Sequence, residues 1–150
     1  MQCANTPVKK CEMKMRTRTY LDLRHIRTFE DRFDYLQLRG QVGESTFGFD
    51  RYINQQFYSS REWKQIRDVV IARDEGCDLG VEGFEIHDKI IIHHMNPITL
   101  EELEHGEQSI LEPNFLITTT QTTHNAIHYG DRSLLRVPIA PRRAGDTRMW

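Results

Sequence analysis

At 150 residues, 38% of them hydrophobic, the chain can bury one modest core around one site but cannot form two independent domains. No stretch approaches the roughly 20 consecutive apolar residues that span a membrane, and the polar, basic residues 1–15 lack the apolar centre of a secretory signal. These features predict a cytoplasmic protein with no membrane partner, and the net charge of -2 excludes a uniformly basic surface.

Residues 1–19 carry no recognisable pattern and are predicted to be an N-terminal tail without ordered structure, ahead of a helical and loop elaboration in residues 20–60. Between Thr28 and Leu38, apolar side chains recur at three- to four-residue spacing, which is typical of one face of an amphipathic helix. That face consists of Phe29, Phe33 and Leu36. Residues 41–50 (QVGESTFGFD) break the helical period and predict an ordered loop.

A second helix is predicted to begin after Ser59 or Ser60 and to run to about Asp74, since serine is a favoured N-cap residue. Its apolar side chains form one stripe, with most of the basic side chains off it. The stripe consists of Trp63, Ile66, Val69 and Val70. We expect this stripe to dock on the segment that follows.

That following segment contains two predicted strands and a final helix. Residues 89–95 are rich in isoleucine and predict a strand, and the β-branched residues 115–120 predict another. The intervening residues 96–113 predict a long loop with a helical turn at LEELEH. One of several threonines in residues 120–123 caps the last helix, which runs through Tyr129 and is ended by a glycine. The order is therefore strand, loop, strand, helix, and the fold class is α+β.

Four of the seven histidines fall in two tight clusters on these elements. Because residues four apart on a helix share a face, His124 and His128 can present two imidazoles to one ion. A third ligand from the strand end, where His93 and His94 stand, would leave coordination positions open for water or a phosphate oxygen, as in catalytic sites. Adjacent strand residues point to opposite faces, so spacing leaves open which of these two is the ligand.

The runs IIIHHMNPIT and NFLITTTQTTHNAIHYGD resemble the ββα-metal motif, or His-Me finger, of HNH endonucleases. The doubled first histidine and the final H-x-x-x-H are similar to those of the colicin DNases. The preceding SREWKQIRDVVIARDEGCDLG resembles the segment that leads into this motif in small HNH proteins of tailed bacteriophages. The resemblance covers about Tyr20 to Asp131 and implies a nuclease module in residues 61–131.

The resemblance also implies a role for each residue of the motif. His93, His124 and His128 would bind one divalent metal ion, and His94 would be the general base that activates water for hydrolysis of a DNA phosphodiester bond. The family's middle asparagine matches Asn114, the second residue expected in the catalytic motif, whose amide would hold the loop between the strands. An all-imidazole ligand set shifts metal preference from Mg²⁺ toward Zn²⁺, Ni²⁺ or Mn²⁺.

Charge is divided unevenly along the chain. Residues 61–131 hold five Lys or Arg against fourteen Asp or Glu, whereas residues 132–150, a predicted basic C-terminal tail, hold five against one. Contacts to phosphates supply most non-specific affinity for DNA. The residues predicted to make them are Arg132, Arg136, Arg142 and Arg143.

The main alternative is a non-catalytic accessory module that is stabilised by the metal and works in phage DNA packaging with terminase proteins. The acidic middle favours this alternative, because its carboxylates repel free DNA. Retention of His94 beside three metal ligands argues against it, since a purely structural ion does not need that residue. Either protein, if encoded by a phage, would act in the cytoplasm of the bacterial host. A sequence-specific DNA binder is disfavoured because no helix-turn-helix signature is present.

Overall fold

A computed structural model of the chain describes residues 17–38, 51–81 and 84–135. The helices are α1 (Tyr20–Leu23), α2 (Phe29–Leu36), α3 (Arg51–Ser59), α4 (Arg61–Arg73), α5 (Leu100–His105) and α6 (Gln121–Tyr129). The strands are β1 (Cys77–Asp78), β2 (Phe84–Glu85), β3 (Ile91–His94) and β4 (Leu116–Thr119), and short 3-10 turns span Gln108–Leu111, Pro113–Phe115 and Arg132–Leu134. The predicted α+β class is confirmed. No helix in these described ranges is long and apolar enough to cross a membrane.

Side-chain caps define where the predicted helices begin. Thr28 accepts a hydrogen bond from the backbone of Asp31 at the start of α2, and Ser60 accepts one from Trp63 at the start of α4. Both helices were predicted, although α2 ends two residues before the predicted limit. The short α1 and the helix α3 were not predicted. The loop predicted for residues 41–50 lies outside the described residues.

The strands form two antiparallel two-stranded sheets, β1 with β2 and β3 with β4. In the second sheet His93 pairs with Ile117 and His94 with Leu116. Helix α6 follows β4 directly and packs on both strands of that sheet. The predicted order of strand, loop, strand and helix is therefore confirmed.

Apolar clusters hold this sheet and helix to the rest of the chain. Met95, Ile117 and Ile127 are almost completely buried together with leucines of α1 and α2. A separate cluster of Trp63, Val70 and Leu116 docks α4 on β4. The predicted docking of α4 is confirmed, except that Val69, placed in its apolar stripe, is 52% exposed.

The segment just before α1 is fixed against the residues that follow β3. The backbone N–H of Arg18 donates to the side-chain oxygen of Asn96 at 2.8 Å, and the Asn96 amide donates back to the Arg18 carbonyl at 2.9 Å. The Arg18 guanidinium donates to the carbonyls of Tyr35 and Gln37. Arg18 and Thr19 were predicted to belong to the tail but are bonded to the folded chain, while residues 1–16 lie outside the described residues.

Candidate metal centre

Three imidazoles converge between the end of β3 and one face of α6. The ring centroid of His93 lies 5.3 Å from that of His124 and 5.0 Å from that of His128. One nitrogen from each ring falls within 4.8 Å of the other two, so the three residues could hold a metal ion. The structure therefore brings His93, and not His94, to the two helix histidines.

The nitrogen positions fit a shared ion. The Nε2 atoms of His124 and His128 are 3.1 Å apart. Two imidazole nitrogens bound to one tetrahedral zinc, each about 2.0–2.1 Å from it, lie about 3.3 Å from one another. This agreement means that the two helix ligands need no large rearrangement to bind the same ion.

Several nitrogens of these rings are buried without hydrogen-bond partners in the described structure, which lowers the stability of the folded state. The His93 side chain is 1% exposed, and neither of its ring nitrogens has a hydrogen-bond partner among the described residues. The Nδ1 atom of His128 is also buried without one. An unsatisfied buried polar group costs about 1–3 kcal/mol, and a bound metal ion would satisfy one of the two unpartnered nitrogens of His93. The donor set therefore fits a metal that prefers imidazole nitrogen.

The rings are in the protonation state that binds metal. Burial lowers the pKa of His93 well below its ordinary value of 6.5, and the neighbouring His124 and His128 lower it further. Burial also lowers the pKa of His124, and it lowers that of His128 to about 4. Each imidazole is therefore neutral at pH 7, which leaves a nitrogen lone pair for coordination.

A buried carboxylate positions the start of α6. Asp78 is 1% exposed and accepts hydrogen bonds of 2.9 Å from the backbone and the hydroxyl of Thr120, the N-cap residue of α6. Its other oxygen accepts from the backbone of Gly80 at 2.9 Å. The carboxylate thus ties the helix that carries two of the histidines to the turn after β1.

A second buried carboxylate fixes β4 in the same way. Asp74 accepts from the backbone and the hydroxyl of Thr118 at 2.9 and 3.0 Å. Arg73 pairs with this carboxylate and donates to the carbonyls of Pro113 and Leu116. The end of α4 therefore sets the position of β4, and through the pairing of the strands it sets the position of His93.

His94 points away from the three-histidine cluster and packs under aromatic rings. Its ring is stacked on that of Trp63, with ring centroids 5.3 Å apart and planes 17° apart. The centroid of the Phe57 ring lies 6.4 Å from that of His94. The Nε2 atom lies 3.1 Å from the carbonyl oxygen of Ile110. Because a carbonyl only accepts, the neutral ring carries its proton on Nε2 and keeps the lone pair on Nδ1. Burial lowers the pKa of His94 to about 4, against the opposing effect of that carbonyl.

Asn114, predicted to hold the loop between the strands, is bonded to α1 from the end of that loop. The side-chain oxygen of Asn114 accepts from the backbone of Leu21 at 3.3 Å, so it joins the turn before β4 to α1. The loop after β3 is instead fastened by Asn96, which sequence reasoning did not select. The Asn-Pro dipeptide at residues 96–97 signals a turn, but nothing in the sequence indicates its partner, which is 78 residues away.

Of the arginines predicted to contact DNA, only Arg132 lies within the described residues. Its guanidinium forms an ion pair with Asp34 and lies over the Phe33 ring at 5.2 Å from the centroid. Arg132 is therefore engaged with α2. Arg136, Arg142 and Arg143 lie outside the described residues.

Comparisons of the chain with protein-family models, with curated proteins and with solved structures found no match. The resemblance to HNH endonucleases consequently depends on the histidine motif and its spacing.

Proposed function

We propose that this chain is an HNH endonuclease that hydrolyses DNA phosphodiester bonds, with β3, β4 and α6 forming its ββα-metal motif. His93, His124 and His128 would hold one divalent ion, with Zn²⁺, Ni²⁺ or Mn²⁺ preferred to Mg²⁺ because all three ligands are imidazoles. DNA is the proposed partner, and the resemblance to phage proteins points to the cytoplasm of a bacterial host.

The observation that carries the proposal is the convergence of three imidazoles that could hold one ion, with both ring nitrogens of His93 buried and without a partner among the described residues. A purely structural zinc site is usually closed by four protein ligands, whereas a catalytic site keeps a position open. The cluster found among the described residues contains three possible ligands. An open position is what hydrolysis of a phosphodiester requires.

The chemistry divides between the ion and the side chains. A bound divalent ion supplies Lewis acidity that stabilises negative charge developing on the phosphate oxygens. Nδ1 of His94 takes a proton from water, whose oxygen attacks the phosphorus in line as the bond to the 3′ oxygen breaks. The carbonyl of Ile110 holds the ring in the tautomer that this step needs. The expected products carry 5′-phosphate and 3′-hydroxyl ends.

The proposal is tested by nicking of supercoiled plasmid with Mg²⁺, Mn²⁺, Ni²⁺ or Zn²⁺, or with chelator, by the wild type, His94→Ala and His105→Ala. His105 is an exposed residue of α5 and serves as the matched control. We expect metal-dependent nicking by the wild type and the control, and a loss of about 100-fold or more in His94→Ala, which should still bind the metal. Absence of nicking by the wild type with every metal tested would overturn the proposal.

The packing of His94 favours a second candidate, a metal-stabilised accessory module that does not cut DNA and acts with phage packaging proteins. A ring stacked on Trp63 and bonded to Ile110 contributes to stability whether or not it takes part in catalysis. If the wild type binds metal tightly and gains thermal stability from it, yet nicks no plasmid, this second candidate is favoured.

A further inference from the structure

A groove of 640 Å³ opens beside the metal centre, between α4 and the strand β3. His124 is one of its lining residues, so one of the three proposed metal ligands borders the groove. Tyr58, which is 45% exposed, supplies aromatic surface, whereas Trp63 also lines the groove but is only 6% exposed. The groove therefore borders the centre and carries one exposed aromatic side chain.

The groove also gathers most of the positive charge in an acidic region. Residues 61–131 contain only five Lys or Arg, and three of them, Lys64, Arg67 and Lys89, line the groove. No acidic residue belongs to the lining found in the described part of the chain. Arg67 forms an ion pair of 3.6 Å with Asp68, but that carboxylate is 78% exposed. Such solvent-exposed pairs contribute about 0–1 kcal/mol and exchange readily for another anion.

The cations come from both walls. Lys64 and Arg67 are three residues apart and lie on one face of α4, while Lys89 belongs to the segment that enters β3 from the other side. Positive charge on two sides of an open groove suits a chain of phosphates running through it better than a single small anion.

We propose that this groove binds the sugar-phosphate backbone of the nucleic acid strand and leads it to the metal centre, with Lys64, Arg67 and Lys89 contacting phosphates. The inference depends on the proposed function, because it names how the same site holds its substrate. It adds α4 and the approach to β3 to the phosphate contacts predicted for the C-terminal arginines. The net negative charge of the module is then compatible with DNA binding, since the repelling carboxylates lie outside the groove.

The test is direct binding of a fluorescein-labelled 20-base-pair DNA duplex, measured by fluorescence anisotropy in chelator so that no strand is cut. The test variant is Lys64→Gln/Lys89→Gln, which removes one cation from each wall. The control is Arg24→Gln/Arg27→Gln, which removes two exposed cations that do not line the groove. Matched midpoints of urea unfolding confirm that both variants are folded.

We expect the dissociation constant of the groove variant to rise at least about tenfold, and its salt dependence to fall by about 1.8 in the slope of log K against log salt. The control should change less than about threefold. Equal losses in the two variants, or no DNA binding by the wild type, would overturn the inference. Because binding is read without cleavage, loss confined to the groove variant supports the groove even if plasmid nicking fails. If the wild type nicks plasmid but both variants lose DNA affinity equally, the proposed nuclease function is retained and the groove is rejected as the DNA-binding surface.

Discussion

The three converging histidines, which could hold one metal ion, differ in burial and in the element that carries each. His93 is buried on β3, whereas His124 and His128 are half-buried and one turn apart on α6. The cluster found in the described part of the chain offers three candidate ligands, so loss of any one would leave a two-nitrogen site, which holds a divalent ion weakly. Metal affinity should therefore depend on each ring individually.

For His128→Ala we expect the dissociation constant for Zn²⁺ to rise at least about 100-fold, because the effect of removing a ligand exceeds the 10- to 100-fold typical of its supporting partners. Competition with a chromogenic chelator measures it. The control is His87→Ala, which removes an exposed histidine from outside the cluster. Unchanged affinity in His128→Ala would exclude this residue as a ligand.

We expect His93 to favour metal binding but to lower the stability of the metal-free protein. Its two ring nitrogens are buried without partners in the described part of the protein, and the residue as a whole is 1% exposed. In chelator, His93→Leu should raise the free energy of unfolding by about 1–2 kcal/mol, since an apolar side chain of similar size removes the unsatisfied groups. Urea unfolding measures the change. A fall in stability would mean that these nitrogens are satisfied in the metal-free protein.

At the level of elements, the site depends on how closely the turn after β1 approaches α6. A Cβ atom placed on Gly80 would lie 2.3 Å from Cγ2 of Thr123 in the first turn of the helix. The contact is with a β-branched side chain that is 2% exposed and whose hydroxyl is bonded to Thr120. The side chain has little room to yield, so any added atom must displace the helix.

We therefore expect Gly80→Ala to lower the free energy of unfolding by about 1–3 kcal/mol, the usual cost of overpacking, and to weaken metal binding by moving α6. The double variant Gly80→Ala/Thr123→Ser should recover most of both losses, because it removes the clashing methyl group and keeps the hydroxyl. Urea unfolding and the zinc competition assay measure the two effects. A double variant no better than Gly80→Ala would show that the contact with Thr123 is not the cause.

Over the whole molecule, the buried neutral imidazoles couple stability to pH. Burial holds the pKa of His94 and of His128 at about 4 in the folded chain, against 6.5 for the unfolded residue. Above pH 6.5 these two imidazoles are neutral in both the folded and the unfolded chain, so they give stability no dependence on pH. As the pH falls from 6.5 toward 4, only the unfolded chain takes up these protons, so stability is lost across that interval.

In chelator, the free energy of unfolding should therefore decline steadily between pH 6.5 and 4. Urea unfolding at several pH values measures this decline, and a double variant His94→Leu/His128→Leu should show a smaller one. A free energy of unfolding that stays constant from pH 6.5 to 4 would contradict the burial of these rings.

Saturating Zn²⁺ at pH 7 should raise the melting temperature, because a ligand bound only by the folded state stabilises it by about 2.7 kcal/mol at 100 times its dissociation constant.

Much of the local structure follows from the sequence alone. The caps Thr28 and Ser60, the periodicity of α2 and α4 and the β-branched run of β4 depend on interactions within a few residues. The common face of the α6 histidines follows from helical geometry in the same way. The four-residue α1 was not predicted because so short a helix has little periodicity of its own.

Only the tertiary structure decided which strand histidine joins the cluster. His93 and His94 point to opposite faces of β3, and the sequence does not reveal which face will meet α6. The choice follows from long-range contacts: Asp74 and Asp78 anchor β4 and α6 through residues 42 to 44 positions away, and Trp63 covers the opposite face. The sequence likewise did not predict the pairing of Asn96 with Arg18 or the place of Lys89 in the same groove as residues of α4. Such contacts form only after the chain has folded, so no local pattern encodes them.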